Sequence, residues 1–196
     1  MKALRWSVAP ELKAIPPKTK RIRMNLLLWR HGTADETDDA TSDALRGLST
    51  RGRKQVAQIA GWLQTRLPSE YTIYTSPALR TQQTAEALTS DYRVSEALGP
   101  DATPTHILNE IGWPGHRGTV IIVGHQPALG RLASFLIFGE ELDVSIKKGA
   151  LWWIANRDRE DRAQNVLRAV ASPDLVLATH EAQFAVAVDD RRMTPL

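Results

Sequence analysis

Two short apolar runs constrain what this chain can fold into. Leu26-Leu27-Leu28-Trp29 stops at Arg30-His31-Gly32, and Thr119-Val120-Ile121-Ile122-Val123 stops at Gly124-His125-Gln126-Pro127. Apolar stretches of this length, closed by glycine, read as buried strands. Helical segments alternate with them, which predicts an α/β fold: a three-layer α/β/α sandwich around a central, mostly parallel sheet. Open sheets of that kind hold ligands at the carboxyl ends of their strands. Both histidines and Arg30 stand there. A histidine in that place can serve as nucleophile, acid or base, metal ligand, or simply as a polar residue in a turn.

The remaining elements follow from local signals. Ser49 is a sound N-cap for a helix over about Arg53 to Leu67, with Val56, Ile59, Ala60 and Leu63 on one face and Pro68 at its end. Tyr71 to Thr75 reads as a second strand. Ser76-Pro77 predicts an N-cap and an N1 proline for a helix reaching Thr89, with Arg80 in its first turn. Tyr92 to Ser95 is a short strand-like segment, Asp101 to Glu110 a modest helix, and Ala128 to Phe138 a longer one. Ala150 to Ala155 and Val166 to Ala171 read as strands flanking a charged turn, Asn156 to Arg162.

Composition removes several function classes. The 196 residues include no cysteine, which excludes disulfides, thiolate metal sites and cysteine nucleophiles. No apolar run approaches the roughly 20 residues needed to span a bilayer, and the N-terminus lacks a signal peptide's apolar core, so a cytoplasmic protein without membrane partners is expected. The pI of about 9.4 is unevenly built. Residues 1–23 carry seven Lys or Arg against one acid, whereas the remainder holds 18 basic and 21 acidic residues, a net −3. We therefore expect three parts: a basic, flexible extension over 1–23, a catalytic domain over 24–180, and a C-terminal tail over 181–196. Nucleic acid could be engaged only through that extension, which lacks interleaved aromatics and is broken by Pro10, Pro16 and Pro17. Met24 offers an alternative start for translation.

His31, His125, Arg30 and Arg80 together make an economical phosphate site. Arginine offers a planar fork of donors matched to phosphoryl oxygens and stays charged at any relevant pH. Such a pocket stabilises a transferring phosphoryl group without a metal.

The segments Leu28-Trp29-Arg30-His31-Gly32-Thr33, Leu48-Ser49-Thr50-Arg51-Gly52, Thr75 to Thr84 and Val123-Gly124-His125-Gln126-Pro127, in this order, resemble the histidine phosphatase superfamily. The short body and the Ser-Pro-x-x-Arg-x-x-Gln-Thr segment are similar to its SixA-type phosphohistidine phosphatases. The resemblance runs from about Met24 to Pro173. It implies a phosphoglycerate mutase-like fold, no cofactor or metal, and a histidine-phosphorylated protein as substrate. His31 is then the nucleophile, forming a phosphohistidine intermediate that water hydrolyses, while Arg30, Arg80 and His125 bind the phosphoryl oxygens. Arg46 matches a basic position of the SixA type, as a phosphate or substrate contact or else a solvated loop arginine. Glu96 is the best positional candidate for a proton donor, its other reading being an ordinary exposed glutamate.

Other features carry less. The acids Asp35, Glu36, Asp38, Asp39 and Asp43 read as a solvated loop without a calcium motif. His106, His116 and His180 receive no function. Lys147-Lys148-Gly149 reads as a charged turn that could sit at the pocket mouth and steer an acidic substrate. Trp62 reads as helix packing. The rival functions are a small-metabolite phosphomonoesterase of the same mechanism, a metallohydrolase built on His31 and His125, and a non-catalytic phosphoprotein-binding module. The oligomeric state is left open.

Overall fold

In a computed structural model, residues 22–36, 42–115, 117–159 and 162–176 are described. A six-stranded mixed sheet forms the middle layer, with strand order β3-β2-β4-β1-β5-β6. Its strands are β1 (Ile22–Arg30), β2 (Thr72–Thr75), β3 (Arg93–Val94), β4 (Gly118–Gly124), β5 (Leu151–Arg159) and β6 (Arg162–Ala171). The pairs β1/β4, β2/β4 and β2/β3 are parallel, whereas β5 runs antiparallel to both β1 and β6. The sheet is thus mostly parallel, as expected, with β5 alone reversed.

Helices α1 (Thr50–Gln64) and α2 (Leu79–Glu86) cover one face, and α3 (Pro104–Glu110) and α4 (Ala128–Phe138) the other. The continuous apolar runs make sense in this setting. Successive strand residues point to opposite faces, so a strand covered on both sides needs apolar residues throughout. Leu26 and Leu28 pack with Ile107, Leu129 and Leu132, while Leu27 and Trp29 pack with Val56, Ile59 and Leu63. Among the described residues no helix is long and apolar enough to cross a membrane.

Several local expectations need correction. Helix α1 starts directly after its cap, where the Ser49 hydroxyl accepts from the Gly52 amide, and it ends at Gln64 rather than Leu67. Helix α2 is shorter than expected at both ends, and Ala78 rather than Ser76 occupies its N-cap position. The Ser76 hydroxyl is committed elsewhere, to His125 and Thr81. Thr103 caps α3, whose first residue is Pro104. Within the charged stretch read as a turn over Asn156 to Arg162, Asn156–Arg159 and Arg162 instead belong to the β5/β6 ladder, with Asn156 opposite Asn165 and Arg157 opposite Gln164. Those pairs hydrogen-bond side chain to side chain, so polar residues extend a hairpin there. Strand β1 begins at Ile22, inside the segment read as an extension. Asp38, Asp39, His116, His180 and the tail over 181–196 lie outside the described residues.

Candidate active site

Strands β1 and β4 are parallel neighbours with Arg30 in register with Gly124. Each strand is followed by one histidine, so the register alone brings His31 and His125 side by side at the carboxyl edge. The His31 amide closes the arrangement by donating to the Gly124 carbonyl at 3.2 Å. The two ring centroids lie 5.1 Å apart. Both histidines are buried.

A turn over Lys147–Gly149 secures the strand end. Gly149 takes a left-handed backbone (φ 76°), a conformation open to a residue without a Cβ. Its amide donates to the His31 carbonyl at 3.0 Å, and its own carbonyl accepts from Trp29 Nε1 at 3.0 Å. On the other side, the loop after His31 runs against α1 at a distance that glycine alone permits. A Cβ on Gly52 would lie 2.0 Å from the Thr33 carbonyl oxygen, and one on Gly32 would lie 2.8 Å from the Gly52 oxygen.

The hydrogen bonds fix both imidazole tautomers. His31 Nδ1 lies 2.7 Å from the Gly32 carbonyl oxygen. A carbonyl can only accept, so Nδ1 carries the proton and Nε2 holds the free lone pair. Arg80 Nη2 lies 3.5 Å from His125 Nδ1, and a guanidinium can only donate. His125 therefore carries its proton on Nε2, which donates to Ser76 Oγ at 2.7 Å. Ser76 passes the direction on to Thr81 Oγ1 at 2.8 Å, and Thr81 donates to the Ala78 carbonyl at 2.6 Å. This relay of buried hydroxyls orients the second histidine.

Electrostatics keep both rings uncharged. Burial pushes His31 from its ordinary 6.5 down to about 3, helped by the positive Arg80 and Arg30 and by His125. Burial likewise lowers His125 to about 4, with Arg80 and Arg30 adding to the shift and Asp43 opposing it. Charging either ring would require removing a cation from water beside two fixed guanidinium groups.

The arginines supply donors. Arg80 is almost completely buried and holds Asp43 by two bonds, Nη1 to its backbone carbonyl at 2.6 Å and Nη2 to Oδ2 at 2.9 Å. Arg46 binds the other carboxylate oxygen of Asp43 at 2.6 Å. Arg30 donates from Nη1 to the Ile146 carbonyl at 2.6 Å. The Nε groups of Arg30, Arg46 and Arg80 are buried without a hydrogen-bond partner. Buried donors of that kind are costly unless something accepts from them, and those of Arg30 and Arg80, the two arginines that act on both histidines, suit an anion held there.

The structure thus brings Arg30, His31, Arg80 and His125 together and adds Arg46 at their edge, joined through Asp43 rather than solvated alone. Glu96 opens a short 3-10 turn, Glu96–Leu98, after β3 at the same sheet edge. It is exposed, and among the described residues no hydrogen bond or ion pair ties it to the histidines. No group of three or more His, Asp or Glu side chains among the described residues could hold a metal ion.

Four participants are not legible in the sequence: Asp43, Ser76, Thr81 and Thr84. Asp43 reads as part of a solvated acidic loop, although half its hydrogen-bonding capacity serves Arg80 and Arg46. Ser76 reads as a helix cap, but its hydroxyl serves His125 and Thr81. The Thr84 hydroxyl accepts from the Gly32 amide at 3.3 Å, a contact that nothing local in the sequence announces. One signal could have found Thr81 and Thr84. The buried face of α2 is polar, Arg80, Thr81 and Thr84 with Ala85, and a polar face turned inward marks a site.

Comparison with known proteins agrees with this geometry. Residues 26–121 match the model of the histidine phosphatase superfamily (branch 1). An uncharacterised protein of Picosynechococcus sp. is 33% identical over 124 residues, covering 60% of this chain and 75% of that protein. The phosphohistidine phosphatase SixA of Escherichia coli K12 is 29% identical over 126 residues, covering 60% and 76%. The solved structure of the protein histidine phosphatase SixA complexed with tungstate superposes with a TM-score of 0.63 at 25% identity, over 77% of this chain and 98% of that one. By matched sequence and by fold, the chain belongs to the histidine phosphatase superfamily, and within it to the SixA type.

Proposed function

We propose that this phosphatase removes phosphoryl groups from histidine on a protein substrate, through a phosphoenzyme on His31 and without a metal. One observation carries the reading: His31 is buried and uncharged, its Nδ1–H is held by the Gly32 carbonyl, which leaves Nε2 free, and its ring stands 5.1 Å from that of His125 under the influence of Arg80 and Arg30.

The chemistry follows from those atoms. Nε2 of His31 attacks phosphorus in line, forming a P–N bond as the bond to the substrate's imidazole breaks. The Gly32 carbonyl accepts the charge-sharing Nδ1–H as positive charge develops on the ring. Arg30, Arg80 and His125 meet the phosphoryl oxygens, whose charge is spread over three positions in the transition state. His125 can donate from Nδ1 once a phosphoryl group raises its affinity for a proton, its Nε2–H being already spent on Ser76. Water then attacks phosphorus, breaks the P–Nε2 bond and releases orthophosphate and neutral His31.

The choice of a phosphohistidine substrate is supported by the acids. Asp43 is the carboxylate joined to the site, and its ion pairs with Arg80 and Arg46 hold its carboxyl below the usual range. A group kept ionised in this way cannot deliver a proton. An imidazole leaving group takes one readily from solvent, whereas an alkoxide depends on a positioned acid. The crowd of cations around His31 also argues against a divalent metal between the histidines, since like charges repel most strongly where water is excluded.

The test is a substrate panel with the purified enzyme, comparing histidine-phosphorylated proteins with small phosphomonoesters, in buffer with and without EDTA. We expect preference for the phosphohistidine protein, no effect of EDTA, and an acid-labile phosphoenzyme that His31→Ala abolishes. Preference for a small phosphomonoester would move the reading to a metabolite phosphatase. Activity lost to EDTA and restored by one metal would replace the covalent mechanism.

A further inference from the structure

A cleft of about 680 Å³ is lined by Arg30 but by neither histidine. Four cations line it, Arg30, Arg51, Lys147 and Lys148, against the single acid Asp174. Asp174 is already paired with Lys147 at 3.2 Å, and among the described residues Arg51 and Lys148 have no ion-pair partner. This concentration of charge stands on a body whose residues from 24 onward sum to −3, so it is a local feature.

Two observations connect the cleft to the reaction. Its wall at Lys147 and Lys148 is the turn whose Gly149 amide holds the His31 carbonyl, so the rim and the nucleophile's strand end are built as one unit. Its floor is one face of α1, where Arg51, Gln55 and Gln58 follow each other at spacings of four and three residues. At 1.5 Å per residue those positions extend over about 10 Å. A row of that length exceeds what one compact anion fills and suits about three residues of extended chain.

We infer that this cleft docks an acidic segment of the phosphorylated protein, carboxylates lying along Arg51 and Lys148 while the phosphohistidine reaches Arg30 and His31. The inference rests on the phosphoprotein reading above. Exposed charge pairs of this kind act chiefly on encounter and register, so the cleft selects substrates through KM and the association rate and leaves the chemical step alone. It also screens with salt.

The experiment uses a double variant, Arg51→Glu with Lys148→Glu, and two substrates: a histidine-phosphorylated protein with Asp and Glu beside the phosphohistidine, and a small phosphoramidate. For the acidic protein we expect KM to rise roughly five- to tenfold with kcat held, and no change for the phosphoramidate. Lysines substituted for the carboxylates of the protein should restore the double variant and impair the wild type. Equal losses on both substrates would make these residues part of the site or the fold. An unchanged KM, or a KM indifferent to salt in the wild type, would leave the cleft without a docking role. A wild-type enzyme that turns over the small compound but no phosphohistidine protein would overturn the substrate reading, and the docking with it.

Discussion

Replacing His31 or His125 with Asn removes an imidazole that the fold buries in uncharged form, and this has a measurable consequence for stability. An unfolded histidine binds a proton with its ordinary pKa of 6.5, whereas the folded values are about 3 for His31 and about 4 for His125. The unfolded chain thus binds more protons than the folded one, and stability rises with pH throughout that interval. The contribution is complete above pH 6.5 and is lost as pH falls toward the folded values. Between pH 7.5 and 5 each histidine costs the fold roughly 2 kcal/mol, or about 4 kcal/mol for the pair. Carboxylates stay ionised over most of that range, so they do not mask it. At about 2 to 4 °C per kcal/mol, the wild type should lose roughly 8 to 16 °C in Tm across this window. His31→Asn and His125→Asn should each remove about half of the drop, and the double variant nearly all of it. The assay is thermal or urea unfolding of the wild type and the three variants at matched ionic strength. Saturating orthophosphate should flatten the wild-type profile, because an anion beside His125 favours its charged form. If the double variant loses as much stability as the wild type between pH 7.5 and 5, the two rings are not held neutral by burial, and the case for an uncharged nucleophile goes with it.

Three other substitutions probe the construction of the site. Ser76→Ala leaves the buried Nε2–H of His125 without an acceptor, which should cost about 1–3 kcal/mol of stability and, through a misplaced ring, lower kcat by roughly 10- to 100-fold; steady-state kinetics with an unchanged kcat would remove Ser76 as the orienting group. Gly52→Ala places a Cβ where the Thr33 carbonyl oxygen stands 2.0 Å away, so unfolding should show a loss of about 1–3 kcal/mol, and a wild-type Tm would mean that this loop yields freely. Glu96→Gln should change phosphohistidine turnover by less than about threefold, whereas a loss approaching the 100-fold expected for a general acid would make Glu96 the proton donor.

Much of the site was legible because its parts obey local rules. An apolar run ended by glycine marks a buried strand wherever it occurs, and the carboxyl edge follows from strand direction, so the sequence alone puts His31, Arg30 and His125 at one edge. Arg80 was legible through its helix. Asp43 was not, because its partners stand 37 residues away at Arg80 and three residues away at Arg46, and nothing in an acidic loop states which cation it will meet. Ser76 misled for a related reason. A serine before a proline has the right chemistry for a helix cap, but the nearer competitor was an imidazole 49 residues along the chain. The charged β5/β6 hairpin misled in the opposite direction, since cross-strand partners turn polar residues into strand formers that composition reads as a turn.

The amino-acid sequence by itself determined which reactive groups this protein owns and at which strand and helix ends they stand, because periodicity, turn residues and side-chain chemistry act over a few residues. Tertiary structure alone decided the rest: the Nδ1 and Nε2 tautomers, the loss of charge from both imidazoles, the bridging of two arginines by Asp43, the reversed β5, and a cationic cleft lined by Arg30. Each of these depends on distances between residues far apart in the chain and on water excluded between them. Packing sets both, and no local pattern records them.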